Sequence, residues 1–134
     1  MTKKATIEFR LKALADTYIN IQYGLRDNGA NDAFFDFDET GGTADNWRMN
    51  TQDSGGASTL VDSGILSDTS YHIFRIECFP AGEIHWYIDA VECGNSPVTT
   101  NIPSDYIAPY FYIRTREDAA KSMDIDYVVC RQEI

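Results

Sequence analysis

Apolar and polar residues alternate with a period of two along almost the whole chain, the pattern of β-strands with one wet face. Over residues 5–11, Ala5, Ile7, Phe9 and Leu11 fall on one side and Thr6, Glu8 and Arg10 on the other. Residues 18–25 repeat this, with Ile19, Ile21, Tyr23 and Leu25 set against Asn20, Gln22 and Gly24. Asn28-Gly29 then predicts a turn, because both residue types tolerate positive φ. Further strands are predicted over residues 33–38 and around Trp47, Met49 and Thr51, separated by the polar loop 39–45. Gly55-Gly56 marks the next turn, and residues 59–62 predict a short, weak strand that runs into a polar connection.

The strongest signal is a hairpin. Residues 71–79 and 83–91 flank Pro80-Ala81-Gly82, and in the second arm Ile84, Trp86 and Ile88 alternate with His85, Tyr87 and Asp89. Pro97 and Pro103 make residues 95–106 a surface crossing. Residues 107–115, dense in aromatics, predict a strand covered on both faces, and residues 116–122 are the sole helix candidate. The last strand, 123–131, sets Met123, Ile125, Tyr127 and Val129 against Asp124 and Asp126. About nine strands with turns at short spacing predict an all-β fold: a two-sheet antiparallel β-sandwich or jelly roll. No helical segments of the length that parallel α/β folds require stand between them.

Size and charge narrow the function. The 134 residues suit one domain spanning 1–134, with 43% hydrophobic residues enough for one core. Eleven Lys and Arg against 21 Asp and Glu leave a net charge of −10, which argues against nucleic acid as a partner. No apolar run is long enough for membrane insertion, and the opening residues lack a secretory h-region. Cys78, Cys93 and Cys130 form no close pair; they fit a reducing cytoplasm better than a disulfide framework, with Cys78 and Cys130 expected as small core residues.

The hairpin sequence YHIFRIECFPAGEIHWYID at 71–89 and the closing SMDIDYV at 122–128 resemble the concanavalin A-like lectin and glucanase superfamily, including its laminin G-like jelly rolls. The order Phe37-Asp38, Asn46-Trp47, Thr51, Val61-Asp62-Ser63-Gly64, Asn101-Ile102-Pro103 is similar to modules of bacteriophage virion and tail proteins. The resemblance implies a sandwich shortened at its N-terminus, whose open edge would be completed by a homo-oligomer or by other virion or capsid proteins. It also differs from the usual pattern at Ala90, where a glycine follows the hairpin's Asp in members of the superfamily.

Candidate chemistry is sparse. Glucanases of this superfamily carry Glu-x-Asp-x-x-Glu on one strand, and the nearest match here is Phe34-Phe35-Asp36-Phe37-Asp38-Glu39. Asp36 and Asp38 share a face, but Phe34 stands where the first carboxylate is needed and Glu39 points the other way, so catalysis is not expected. A Cys78–His85 pairing across the hairpin is conceivable, although cross-strand packing explains both residues. Oxygen-rich loops offer Asp27, Asp32, Asp36 and Asp38 as calcium candidates, beside a default of no cofactor. A sugar platform needs rings beside hydrogen-bonding groups, and Tyr110, Tyr112, Arg114 and Trp47 are the candidates, with Arg48, Asn50 and Gln52 nearby. The resulting expectation is a noncatalytic virion module, a capsid decoration, fibre or tail-surface protein assembled in a host cytoplasm, that binds other proteins and cell-surface glycans. A free-standing carbohydrate-binding lectin-like module is the alternative, and a glycoside hydrolase comes third.

Overall fold

A computed structural model describes residues 3–27, 30–39, 45–104 and 107–133. Among them are ten strands: β1 Ala5–Ala13, β2 Ile19–Arg26, β3 Asp32–Glu39, β4 Asn46–Gln52, β5 Ser58–Leu66, β6 His72–Phe79, β7 Glu83–Ile88, β8 Val91–Glu92, β9 Ala108–Thr115 and β10 Met123–Gln132. They form two five-stranded antiparallel sheets, ordered β10-β1-β6-β7-β8 and β5-β4-β3-β2-β9. The expected all-β sandwich is therefore the observed fold.

Alternation decides which side chains enter the core. Ile7, Phe9 and Leu11 of β1 meet Ile21 and Tyr23 of β2, Phe35 and Phe37 of β3, Trp47 and Met49 of β4, and Phe74, Ile76, Ile84 and Trp86 of the hairpin. Phe74 sits at the centre: its ring lies 4.8 Å from Tyr23, 5.1 Å from Phe35 and 5.4 Å from Trp47, all edge-on. Such pairs each add about 0.5–1.5 kcal/mol beyond simple burial.

Several expectations are corrected. Residues 116–122 form no helix; Thr115 Oγ1 donates to the Glu117 carbonyl and the Glu117 N–H donates back to that hydroxyl, folding the segment as a turn. The weak strand at 59–62 is the middle of the nine-residue edge strand β5, whose alternation is blurred in the sequence because apolar Leu60 and Leu66 are exposed while polar Ser63 is buried beside the partly buried Val61 and Ile65. β9 is not covered on both faces: it too is an edge, and only its central residues are partly buried. Cys78 is buried as expected, but Cys130 is exposed, because β10 borders its sheet and Ile125 and Val128 beside it are exposed as well. Despite Ala90, the β7–β8 connection is tight. Ile88 pairs with Val91, and Asp89 and Ala90 both take positive φ, 51° and 66°, as a type I′ turn requires. The Asn28-Gly29 turn and most of the 39–45 loop lie outside the described residues.

Candidate active site on the outer face of the β3 sheet

Residues 33, 35 and 37 of β3 fill the core, so Asp32, Phe34, Asp36 and Asp38 share the opposite, outer face. Each of the three carboxylates meets an arginine from a neighbouring segment. Asp32 pairs with Arg26 of β2 at 3.0 Å, Asp36 with Arg48 of β4 at 2.9 Å, and Asp38 with Arg116, just past β9, through both of its oxygens at 2.6 and 2.7 Å. The pairing follows from register: Arg26 lies opposite Asp32 and Arg48 opposite Asp36.

Asp36 is the most enclosed carboxylate with a full set of partners, only 7% exposed. Its Oδ1 accepts from Gln22 Nε2 at 3.2 Å and from Asn20 Nδ2 at 3.5 Å, and its Oδ2 accepts from Arg48 Nη2. Burial pushes its pKa above the ordinary carboxylate value. The Gln22 hydrogen bond and the Arg48 charge oppose that rise, and the neighbouring Asp38 charge adds to it. Asp32 is raised as well, first by burial, with Arg26 opposing.

Beside these acids lies an aromatic ladder. Tyr110 and Tyr112 of β9 stack at 6.4 Å with rings 9° apart, and Tyr110 meets Phe34 at 6.0 Å. Both rings project on the same side as Arg114, since Tyr110, Tyr112 and Arg114 oppose Gly24, Gln22 and Asn20 of β2. The carboxylates and these rings thus occupy one continuous sheet face. Trp47 does not join them. At 1% exposure it belongs to the core, because β4 turns its odd-numbered residues inward, and it is corrected from binding candidate to packing residue.

The four calcium candidates are separated by their partners. Asp27 accepts from the Ala30 and Asn31 backbone N–H groups and from Asn31 Nδ2, while Asp32, Asp36 and Asp38 each face an arginine. Among the described residues no three His, Cys, Asp or Glu side chains are arranged to hold a metal ion. Cys78 and His85 do not meet: Cys78 opposes Ile84 and points into the core, whereas His85 opposes Glu77 on the outer face and hydrogen-bonds Glu92 at 2.7 Å. His72 sits between Asp89 at 2.6 Å and Asp68 at 2.9 Å. On the other sheet, a groove of about 290 Å³ places Lys4, Arg75 and Arg131 among Glu8 and Glu77, cations and anions that largely offset one another.

The sequence pattern missed Gln22, Arg26 and Arg116 as site residues. The signal for the first two lay in β2, where Asn20, Gln22 and Arg26 alternate with apolar residues and so had to share one sheet face. Arg116 follows the end of a strand and gave no such signal.

No protein-family model matches the chain, and a search of curated proteins finds no match. Solved structures do match it. A native glycosidic hydrolase shares the fold with a TM-score of 0.66 at 18% identity, over 94% of this chain and 64% of that one. A Bacillus licheniformis β-glucanase gives 0.68 at 16% identity, over 96% and 65%. A glycoside hydrolase family protein from Mycobacterium thermorestibile gives 0.62 at 20% identity, over 95% and 62%. The chain thus spans just under two thirds of the length of these structures. What they share with the chain is the jelly-roll fold, consistent with the concanavalin A-like resemblance, and the phage part of that resemblance finds no support in them. The expectation of a noncatalytic virion module is overturned, since all three bear hydrolase or glucanase names. The expectation of no enzymatic activity falls with it. Among the described residues no helix is long and apolar enough to cross a membrane.

Proposed function

We propose that this chain cleaves a glycan as a glycoside hydrolase, with Asp36 as the general acid and Asp38 as the second carboxylate. The observation that carries this reading is a pair of same-face carboxylates in unlike surroundings. One is buried, with its pKa raised, and the other is gripped by a bidentate arginine. Pairs whose environments differ in this way divide acid and base roles between them. Two positions along a strand span about 7 Å, which lies in the window of about 6.5–9.5 Å that leaves room for a water between the carboxyl groups.

In the proposed step Asp36 gives its proton to the glycosidic oxygen as the bond from that oxygen to the anomeric carbon breaks. Asp38 accepts a proton from the water that attacks the same carbon on its opposite side. Proton exchange with solvent resets both groups. Phe34, Tyr110 and Tyr112 supply the apolar surface on which pyranose C–H faces pack, and Arg114 donates to hydroxyls at its edge. Phe34 stands where the Glu-x-Asp-x-x-Glu pattern has its first carboxylate, so the proposed pair is Asp36 and Asp38 and not the pattern's two glutamate positions. The names of the three structural neighbours support the substrate class.

The test is reducing-sugar release by the purified protein from a panel of soluble β-glucans. Turnover in the wild type that Asp36→Asn and Asp38→Asn each reduce by about 10²-fold or more supports the assignment. Because Asp36 acts as an acid, activity should fall as pH rises through its raised pKa. An inactive wild type, or full activity in Asp36→Asn, refutes it.

A further inference from the structure

The hydroxyl of Tyr110 stands at the middle of a directional hydrogen-bond chain that crosses three strands. Arg26 Nη1 of β2 donates to Tyr110 Oη of β9 at 3.0 Å, Tyr110 Oη donates to Gln22 Oε1 at 3.3 Å, and Gln22 Nε2 donates to Asp36 Oδ1 of β3 at 3.2 Å. The direction is forced by chemistry. A guanidinium can only donate, so Tyr110 must accept from Arg26, and its single O–H hydrogen is left for Gln22. The Gln22 amide must then turn its oxygen to Tyr110 and its NH2 to Asp36. Without that hydroxyl either end of the amide could face the carboxylate, and an amide oxygen there would repel it.

We propose that Tyr110 is a positioning residue whose hydroxyl, oriented by Arg26, fixes the Gln22 amide so that a donor always faces Asp36. The role extends the reading of Asp36 as the acid and rests on it, but the chain of hydrogen bonds can be tested without any substrate. Arg26 is itself held in place: it pairs with Asp32 at 3.0 Å and lies over the Tyr110 ring at 4.9 Å. The other groups facing Asp36 are Arg48 from β4, Asn20 from β2 and Asp38 from its own strand, and none of them touches Tyr110 Oη. Tyr110→Phe therefore removes one link and keeps the ring stacked on Phe34 and Tyr112.

The experiment is a carbon-13 NMR titration of the Asp36 carboxyl, identified by its absence from Asp36→Asn, in four proteins: wild type, Tyr110→Phe, Gln22→Ala and the double variant. A donor to the charged form favours that form, so Tyr110→Phe should move the Asp36 midpoint upward. Gln22→Ala should move it upward too, and the double variant should go no further than Gln22→Ala alone, since both changes cut the same chain. An unchanged midpoint in Tyr110→Phe, or additive shifts in the double variant, overturns the proposal. Turnover measured on the same samples separates the two claims. Shifts as expected with no turnover in the wild type sink the hydrolase reading and leave the relay standing. Turnover with an unmoved midpoint sinks the relay alone.

Discussion

Replacing Gly24 with alanine should damage both the fold and the site, and the structure gives the size of the effect. Gly24 lies in β2 opposite Phe34 on one side and Tyr110 on the other, with φ at +154°. A Cβ there would stand 2.5 Å from the Ala33 carbonyl oxygen, 2.7 Å from Phe34 Cα and 2.9 Å from Ile76 Cδ1. Two of these three neighbours are backbone of the paired strand, so relief requires opening the β2–β3 ladder, and the third belongs to the facing sheet. Overpacking of this kind costs about 3 kcal/mol, the upper end of its usual span. With an unfolding entropy near 2.1 cal/mol/K per residue, a chain of 134 residues loses about 10 °C in melting temperature for that cost. Differential scanning calorimetry reads the shift directly. A fall under about 2 °C would show that β2 and β3 tolerate a side chain here and would refute the register that brings Gln22 to Asp36.

Three other predictions concern the rest of the molecule. Trp47→Ala should cost about 3–5 kcal/mol in urea unfolding, as for a buried ring; a loss below about 1 kcal/mol would return Trp47 to the surface. Ala90→Gly should stabilise by about 0.5–1 kcal/mol, because it removes a Cβ from the left-handed region in the β7–β8 turn, and a destabilised variant in the same unfolding measurement would contradict the I′ geometry. For His72, burial alone would lower the pKa, but hydrogen bonds to Asp89 and Asp68 outweigh it and raise the value above the ordinary one. Its stabilising contribution is then complete below about pH 6.5, the unfolded value, and is lost as pH rises through the folded midpoint. Unfolding free energies measured across that window should fall with pH in the wild type and flatten in His72→Gln; equal slopes in the two proteins would rule the clamp out.

The hairpin at residues 71–91 was legible because Ile76, Ile84 and Trp86 are spaced for burial with no ambiguity of period. β5 and β9 were not, because at a sheet edge even the core-facing residues, Val61 and Ile65 in β5 and Phe111 and Ile113 in β9, are only partly buried, which softens the contrast on which such reading depends. Trp47 and Cys130 were misplaced for other reasons. Trp47 stands in a strand that alternates clearly, but parity gives two faces and does not say which is the core. Cys130 comes to lie opposite Ile7 only because the β1–β10 register shifts between Ile125 and Tyr127, which simple alternation did not show, and it stays exposed on the border strand of its sheet. The site divided in a similar way. Asp36 and Asp38 could be put on one face from their two-residue spacing, and Tyr110, Tyr112 and Arg114 on one face of theirs. That the two faces are one surface depends on β2 standing between β3 and β9, and β2 pairs with β9 across some 82 to 96 residues of chain, which local sequence does not encode.

The sequence by itself determined the class of fold, the identity of most core residues and the grouping of acids along β3, because side-chain direction in a strand follows from parity alone. Strand order was decided only in the folded molecule, by the burial of Phe9, Tyr23, Phe35 and Phe74 against one another across the two sheets. Strand order in turn chose the partner of every outward charge. The difference between Asp36, enclosed and raised in pKa, and Asp38, gripped by Arg116, lies in those partners and in the depth at which each carboxylate sits.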